Sequence, residues 1–268
     1  MHNKYKAVPL DLNQLTKIIN KNRNEGKELK VYPCRKTGST FVSEHWKIPS
    51  SAHISLNPKR SIGGNSNLVK KIEKNDNEFR IGLIRHPFHL LRSYCLHSYS
   101  GVAGCTSNVR VEHIPEQLIQ HWESLPSNVM DGDFLRVFQK DNPYNDIHTP
   151  AGSTCMNVLI KTEFLTEVTE QVMRPIGLLS LSKSESLKKG GHYFRNFNSD
   201  EIKPSNTMSN PEKKPSFERF FFSKSQSKWT EKLYTIWKPW FDKFHYGKHG
   251  SNTSDIVAFL IHEENDRI

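Results

Sequence analysis

Cysteine is scarce in this chain. Four occur in 268 residues, at Cys34, Cys95, Cys105 and Cys155. No two form a C-x-x-C pair, and no Cys/His cluster stands at the short spacing a zinc ion needs, so no metal is expected. Four scattered thiols in so long a chain do not make a disulfide framework. Reduced thiols are the expectation, with one Cys105–Cys155 bridge left open. Long apolar runs are also missing. None nears the roughly 18 residues of a membrane span, and Met1 to Leu10 is polar where a secretory leader is apolar. A cytoplasmic protein without a membrane span is expected. Acidic residues are outnumbered 28 to 38, which leaves a formal net charge of +10. That balance does not bear on fold, but it favours anionic partners: a nucleotide, an acidic glycan, nucleic acid or a membrane surface. The triphosphatase loop G-x-x-x-x-G-K-[ST] is absent as well.

What is present is an alternation of strand and helix patterns. Leu10, Leu12, Leu15, Ile18 and Ile19 fall at close to helical spacing and predict a helix over 10–22. Leu29–Tyr32, Ala52–Leu56, Phe79–Ile84 and Asn157–Ile160 read as short strands. Helices are expected from Thr40 to Trp46, over 68–74, from Phe88 to Tyr99 and from Phe164 to Met173. A further helix is expected over Ser227–Trp237, with Pro239 opening a separate one, because proline breaks a helix interior and suits a first turn. The stretches 57–67 and 183–215 are polar and loop-like. The pattern predicts an α/β fold of three layers, α/β/α, around a central, mainly parallel sheet. With 35% hydrophobic residues the chain can build one large core, and a single domain over 1–268 is expected.

Two strand-to-helix junctions carry chemistry. The first runs Arg35-Lys36-Thr37-Gly38-Ser39-Thr40-Phe41 after the strand ending at Tyr32. Unpaired N–H groups at a helix start attract anions, and the helix dipole adds to this. Gly38 permits a close backbone approach. Thr37, Ser39 and Thr40 supply hydroxyls and Lys36 a mobile charge. Alone, these residues also describe an ordinary capped helix start. The second junction is Arg85-His86-Pro87-Phe88-His89-Leu90-Leu91-Arg92-Ser93-Tyr94. It places an arginine at a strand tip and a serine eight residues on, a pair able to meet one phosphate through charge-assisted hydrogen bonds.

In this order, the two junctions resemble the PAPS-dependent sulfotransferases (PAPS is 3′-phosphoadenosine 5′-phosphosulfate). Lys36 to Glu44 looks like their 5′-phosphosulfate loop, K-[ST]-G-[ST]-T followed by an aromatic. Arg85 to Tyr94 is similar to their 3′-phosphate motif, R-x-P-x-x-R-x-x-S-x-Y, in Arg85, Pro87 and Ser93, while Arg92 and Tyr94 are out of step with its second arginine and its tyrosine. The Arg85-to-Ser93 interval is the family's usual one, so that pair, and not Arg92, is assigned. Lys161-Thr162-Glu163-Phe164-Leu165 is a weaker echo of a K/R-x-E-x-L segment, and Leu233–Tyr246 resembles the family's closing helix and aromatic cluster. The resemblance implies a P-loop-like sulfotransferase fold with PAPS as donor, PAP as product and no metal. It implies that the backbone from Arg35 to Thr40 cradles the phosphosulfate, that Lys36 meets the bridging oxygen, that Phe41 lies by the adenine, and that Arg85 and Ser93 hold the 3′-phosphate. Lys188-Lys189-Gly190 faintly resembles a loop that closes over the nucleotide.

Sulfuryl transfer needs an in-line acceptor, neutralisation of the leaving phosphate and a base for the acceptor proton. Lys36 suits the second task. For the third, Glu44, His45 and His53 are candidates, and His53 is preferred because an ordinary imidazole accepts a proton near neutrality. Most of the aromatic cluster from Phe217 to Phe244 is expected in the core. The acceptor is left open among an acidic glycan, a small alcohol, a phenol and a lipid head group, and nucleic acid is not expected as a partner. Two rival readings remain: a P-loop small-molecule kinase and a non-catalytic polyanion-binding module.

Overall fold

A computed structural model of the chain describes residues 5–32, 37–48, 76–99, 113–123, 138, 140, 143–144, 156–179, 216–250 and 255–263. The expected strand at 52–56, helix at 68–74 and loops at 57–67 and 183–215 lie outside these residues. The chain groups into two compact units. One comprises Met1–Arg85, Tyr144–Gly191 and Asn252–Ile268, the other His86–Pro143 and His192–Ser251.

The first unit holds a five-stranded sheet. Its strands are β1 (Tyr5–Leu10), β2 (Glu28–Tyr32), β3 (Glu78–Ile84), β4 (Val158–Lys161) and β5 (Ala258–Glu263), in the order β1-β5-β4-β3-β2. β2–β3 and β3–β4 pair parallel, whereas β4–β5 and β5–β1 pair antiparallel. The chain is α/β, but the sheet is mixed and not mainly parallel. The difference comes from β1 and β5, which the sequence patterns did not predict and which supply both antiparallel pairings. β1 alternates weakly and contains Pro9, which an edge strand tolerates because it needs only one side of its hydrogen-bonding capacity.

In the central strands Ile81, Leu83, Ile84, Val158, Leu159 and Ile160 are fully buried. That burial fits the apolar residues that mark β3 and β4 in the sequence, with Glu78, Arg80 and Lys161 standing among them. Around the sheet, α1 (Leu12–Asn24) begins two residues later than expected. Asp11 accepts from Gln14 N at 2.7 Å while Gln14 Oε1 accepts from Asp11 N at 2.9 Å, a reciprocal cap that fixes the start. Its buried side chains are Leu15 and Ile19. Next comes α2 (Ser39–His45). After β4 the chain forms a 3₁₀ turn at Thr162–Phe164, one α-turn at Leu165–Val168 and a π-turn at Thr169–Met173.

The second unit is helical among the described residues: α3 (Pro87–Tyr99), α4 (Ile114–Glu123), α6 (Phe217–Phe222) and α7 (Ser227–Lys243), where α5 is Leu165–Val168 of the first unit. Pro87 takes the first helical position of α3, where its missing N–H costs nothing. His86 caps it, accepting from Leu90 N at 2.9 Å through its carbonyl while its ring nitrogen Nε2 donates to the Gly247 carbonyl at 2.7 Å. The core is aromatic, as expected: Phe88 stacks on Phe221 at 4.7 Å and meets Phe241 edge-on at 5.1 Å. Pro239 lies inside α7 and does not open a new helix. Leu233, Trp237, Trp240 and Phe241 are buried on one continuous face across it, and this burial outweighs the lost backbone bond.

Candidate functional site

Parallel strands leave their carboxyl ends on one edge of a sheet, and the turns that follow are where α/β proteins gather ligands. Here β2, β3 and β4 are adjacent and parallel, so the junctions after Tyr32, Ile84 and Lys161 share that edge. Thr37, Gly38, Arg85 and Thr162 belong to the first unit, whereas His86 and the helix α3 after it belong to the second.

At the β2–α2 junction, Thr37 is fully buried and Gly38 is the N-cap of α2, with φ at 91°. That left-handed conformation favours glycine. A Cβ on Gly38 would also come within 2.6 Å of Leu165 Cδ1. The close approach that Gly38 allows is therefore, in this structure, to the segment after β4. Ser39 and Thr40 form the first turn of α2. Phe41 is 7% exposed and its ring centroid lies 4.5 Å from that of His45, itself buried. Arg35, Lys36 and His53 lie outside the described residues.

At the β3 junction, Arg85 is 8% exposed, and its carbonyl accepts the Tyr144 hydroxyl at 2.8 Å. Ser93 stands half-buried on α3 in the second unit, one residue beyond the buried Arg92.

The third junction ties the first two together. Thr162 Oγ1 lies 3.0 Å from the Thr37 carbonyl oxygen and 2.8 Å from that of Ile84. A hydroxyl has one proton to donate, so the two carbonyls share it or take it in turn. The residue before the phosphate-loop glycine and the residue before the motif arginine are thus fastened to the same side chain. Thr162 is 1% exposed, so water does not compete for the bond. Farther along, Trp46 Nε1 donates to Thr169 Oγ1 at 2.8 Å, and Thr169 Oγ1 donates to the Leu165 carbonyl at 2.6 Å. Lys47 N donates to the Leu178 carbonyl at 2.8 Å. Both ends of α2 are in this way held by residues 162–179.

The motifs of the sequence did not point to Lys161 and Thr162 as site residues. Their signal was the K-T-E-F-L segment, which carries no mark of burial. Lys161 is fully buried, with Nζ 5.5 Å from the centroid of the Phe259 ring. Burial pushes its ammonium down to about 8, while the Glu163 carboxylate acts in the opposite sense. Among the described residues no group of three His, Cys, Asp or Glu side chains is placed to hold a metal, and no helix is long and apolar enough to cross a membrane.

No protein-family model matches the chain, and comparisons with curated proteins and with solved structures also give no match.

Proposed function

We propose that the chain is a PAPS-dependent sulfotransferase that moves a sulfuryl group to a hydroxyl or amine of an acceptor such as a glycan or a small alcohol. The observation that carries this reading is the Thr162 hydroxyl. It links Thr37, next to the K-T-G-S-T glycine, to Ile84, next to the R-x-P arginine. Two motifs that the donor's two ends require, 5′-phosphosulfate and 3′-phosphate, thus start from neighbouring points on one sheet edge. The parallel strands β2, β3 and β4 form the nucleotide-binding part of a layered α/β fold in this reading, with β5 and β1 added beyond β4.

In the reaction, the bond from sulfur to the oxygen of the 5′-phosphate breaks and a bond from sulfur to the acceptor oxygen or nitrogen forms. PAP leaves with the bridging oxygen, and the acceptor's proton passes to a base. Lys36 neutralises the charge that develops on the leaving phosphate. Arg85 takes the 3′-phosphate, and His53 is the proposed base. A guanidinium suits its part because it stays charged even when largely buried.

The test is PAP formation from PAPS across a panel of acidic glycans, phenols and alcohols. PAP release that depends on an acceptor and is lost in Lys36→Ala supports the reading. Magnesium-dependent consumption of ATP, with no PAP from any acceptor, would assign the site to phosphoryl transfer instead.

A further inference from the structure

The pairing of β3 with β4 ends at Ile84, whose register partner is Lys161. Arg85 is the next residue, and two peptide units flank its Cα. The oxygen of the first, the Ile84 carbonyl, lies 2.8 Å from Thr162 Oγ1. The oxygen of the second, the carbonyl of Arg85 itself, accepts from the Tyr144 hydroxyl at 2.8 Å. A peptide unit is planar, so a hydrogen bond to its oxygen restrains the whole plane. With both planes restrained, the two soft torsions at Arg85 are restrained as well, and with them the direction in which its side chain leaves the backbone. Tyr144 stands outside any helix or strand and 59 positions along the chain from Arg85. Tyr144 and Thr162 are each 1% exposed, so solvent does not compete for either bond. Arg85, Tyr144 and Thr162 all belong to the first unit.

We infer that Tyr144 is a positioning residue for recognition of the nucleotide's 3′-phosphate, acting through the backbone of Arg85. The inference rests on the proposed donor site, in which Arg85 takes that phosphate. A guanidinium grips a phosphate through a planar fork of N–H groups, so the angle at which it is presented matters. An arginine side chain also has much rotamer freedom to lose. A backbone already held in place lowers the cost of ordering it on binding. Thr162 cannot serve this end of the nucleotide alone, because its hydroxyl also meets the Thr37 carbonyl beside the loop assigned to the 5′ end. The Tyr144 hydroxyl meets the carbonyl of the arginine itself. Its effect should therefore fall on the choice between a nucleotide with a 3′-phosphate and one without.

The experiment is calorimetric titration of the whole chain with PAP and, separately, with AMP, for the wild type and for Tyr144→Phe. The variant keeps the ring and removes the hydroxyl. Its affinity for PAP is expected to fall by roughly three- to tenfold while its affinity for AMP is unchanged, so that the preference for PAP shrinks. A tyrosine that only supports the fold would lower both affinities together or neither. The same PAP-to-AMP ratio in both proteins therefore overturns the inference and leaves the donor site standing. No preference for PAP over AMP in the wild type overturns the donor site, and the inference with it. A second measurement needs no variant. In the nucleotide-free wild type the backbone amides of Arg85 and His86 must already be rigid, with NMR order parameters of about 0.85. Values below about 0.6 that rise only when PAP is added contradict the inference.

Discussion

Thr162 Oγ1 lies 3.0 Å from the carbonyl oxygen of Thr37, a residue 125 positions earlier in the chain. The same oxygen is 2.8 Å from the Ile84 carbonyl. Buried carbonyls need donors, and one side chain serves two of them. Thr162→Val keeps the shape and removes the proton, leaving both carbonyls short of a partner. Chemical denaturation is expected to show a loss of roughly 1–3 kcal/mol, and Thr162→Ser should recover most of it. If valine and serine behave alike, the hydroxyl is not what joins the junctions.

Gly38 is constrained twice, by its φ of 91° and by the 2.6 Å approach that a Cβ would make to Leu165 Cδ1. Gly38→Ala is expected to destabilise by roughly 1–3 kcal/mol, within the range of backbone strain costs. Leu165→Ala removes the steric part and leaves the torsional part. The double-mutant cycle should therefore show the alanine at 38 costing less in the Leu165→Ala background. Additive effects would mean that the loop and the segment after β4 are not in contact.

Acid sensitivity follows from Glu78 at the start of β3. Lys30 Nζ donates to it at 2.5 Å, Arg80 Nε at 3.0 Å and the Tyr32 hydroxyl at 3.1 Å. The Lys30 hydrogen bond, followed by those from Arg80 and Tyr32 and against an opposing effect of burial, holds the carboxyl down to about 2, below its ordinary 4.5. A depressed carboxyl contributes stability above its unfolded value and loses it as pH falls toward the folded one. Wild-type stability should thus decline between pH 4.5 and pH 2 more steeply than that of Glu78→Gln. Parallel profiles of the two proteins in acid would rule out this carboxylate as a source of the decline.

Lys161 works in the opposite sense. Its ammonium is held at about 8 in the fold, against 10.5 ordinarily. Folding below pH 8 must keep a charge where burial disfavours it. Between about 8 and 10.5 the unfolded chain binds more protons than the folded one, so stability rises with pH across that window. Lys161→Met should abolish this rise. A rise of the same size in the methionine variant would show that another group titrates in this window.

The parallel half of the sheet was legible in the sequence because most residues of β3 and β4 are apolar and buried. β1 and β5 were not. Their pairing joins residues 5–10 to 258–263, a contact between distant segments with no local pattern to announce it, and Pro9 argues locally against a strand. Pro239 misled for a similar reason, since tertiary burial of Trp237, Trp240 and Phe241 overrides a local helix breaker. Motif spacing singled out Gly38 and Arg85 for the proposed site. The burial of Lys161 was not legible, because a lysine in a sequence reads as exposed until the packing around it is known.

The most direct test of the donor assignment is the thermal stability of the whole chain with PAP, compared with AMP. The two nucleotides differ by the 3′-phosphate that Arg85 is assigned to hold. A ligand bound only by the folded state adds about 2.7 kcal/mol at a hundredfold excess over its dissociation constant. The account predicts a clear upward shift with PAP, a much smaller one with AMP, and loss of the difference in Arg85→Ala. Equal shifts with both nucleotides, or no shift at millimolar PAP, would contradict it.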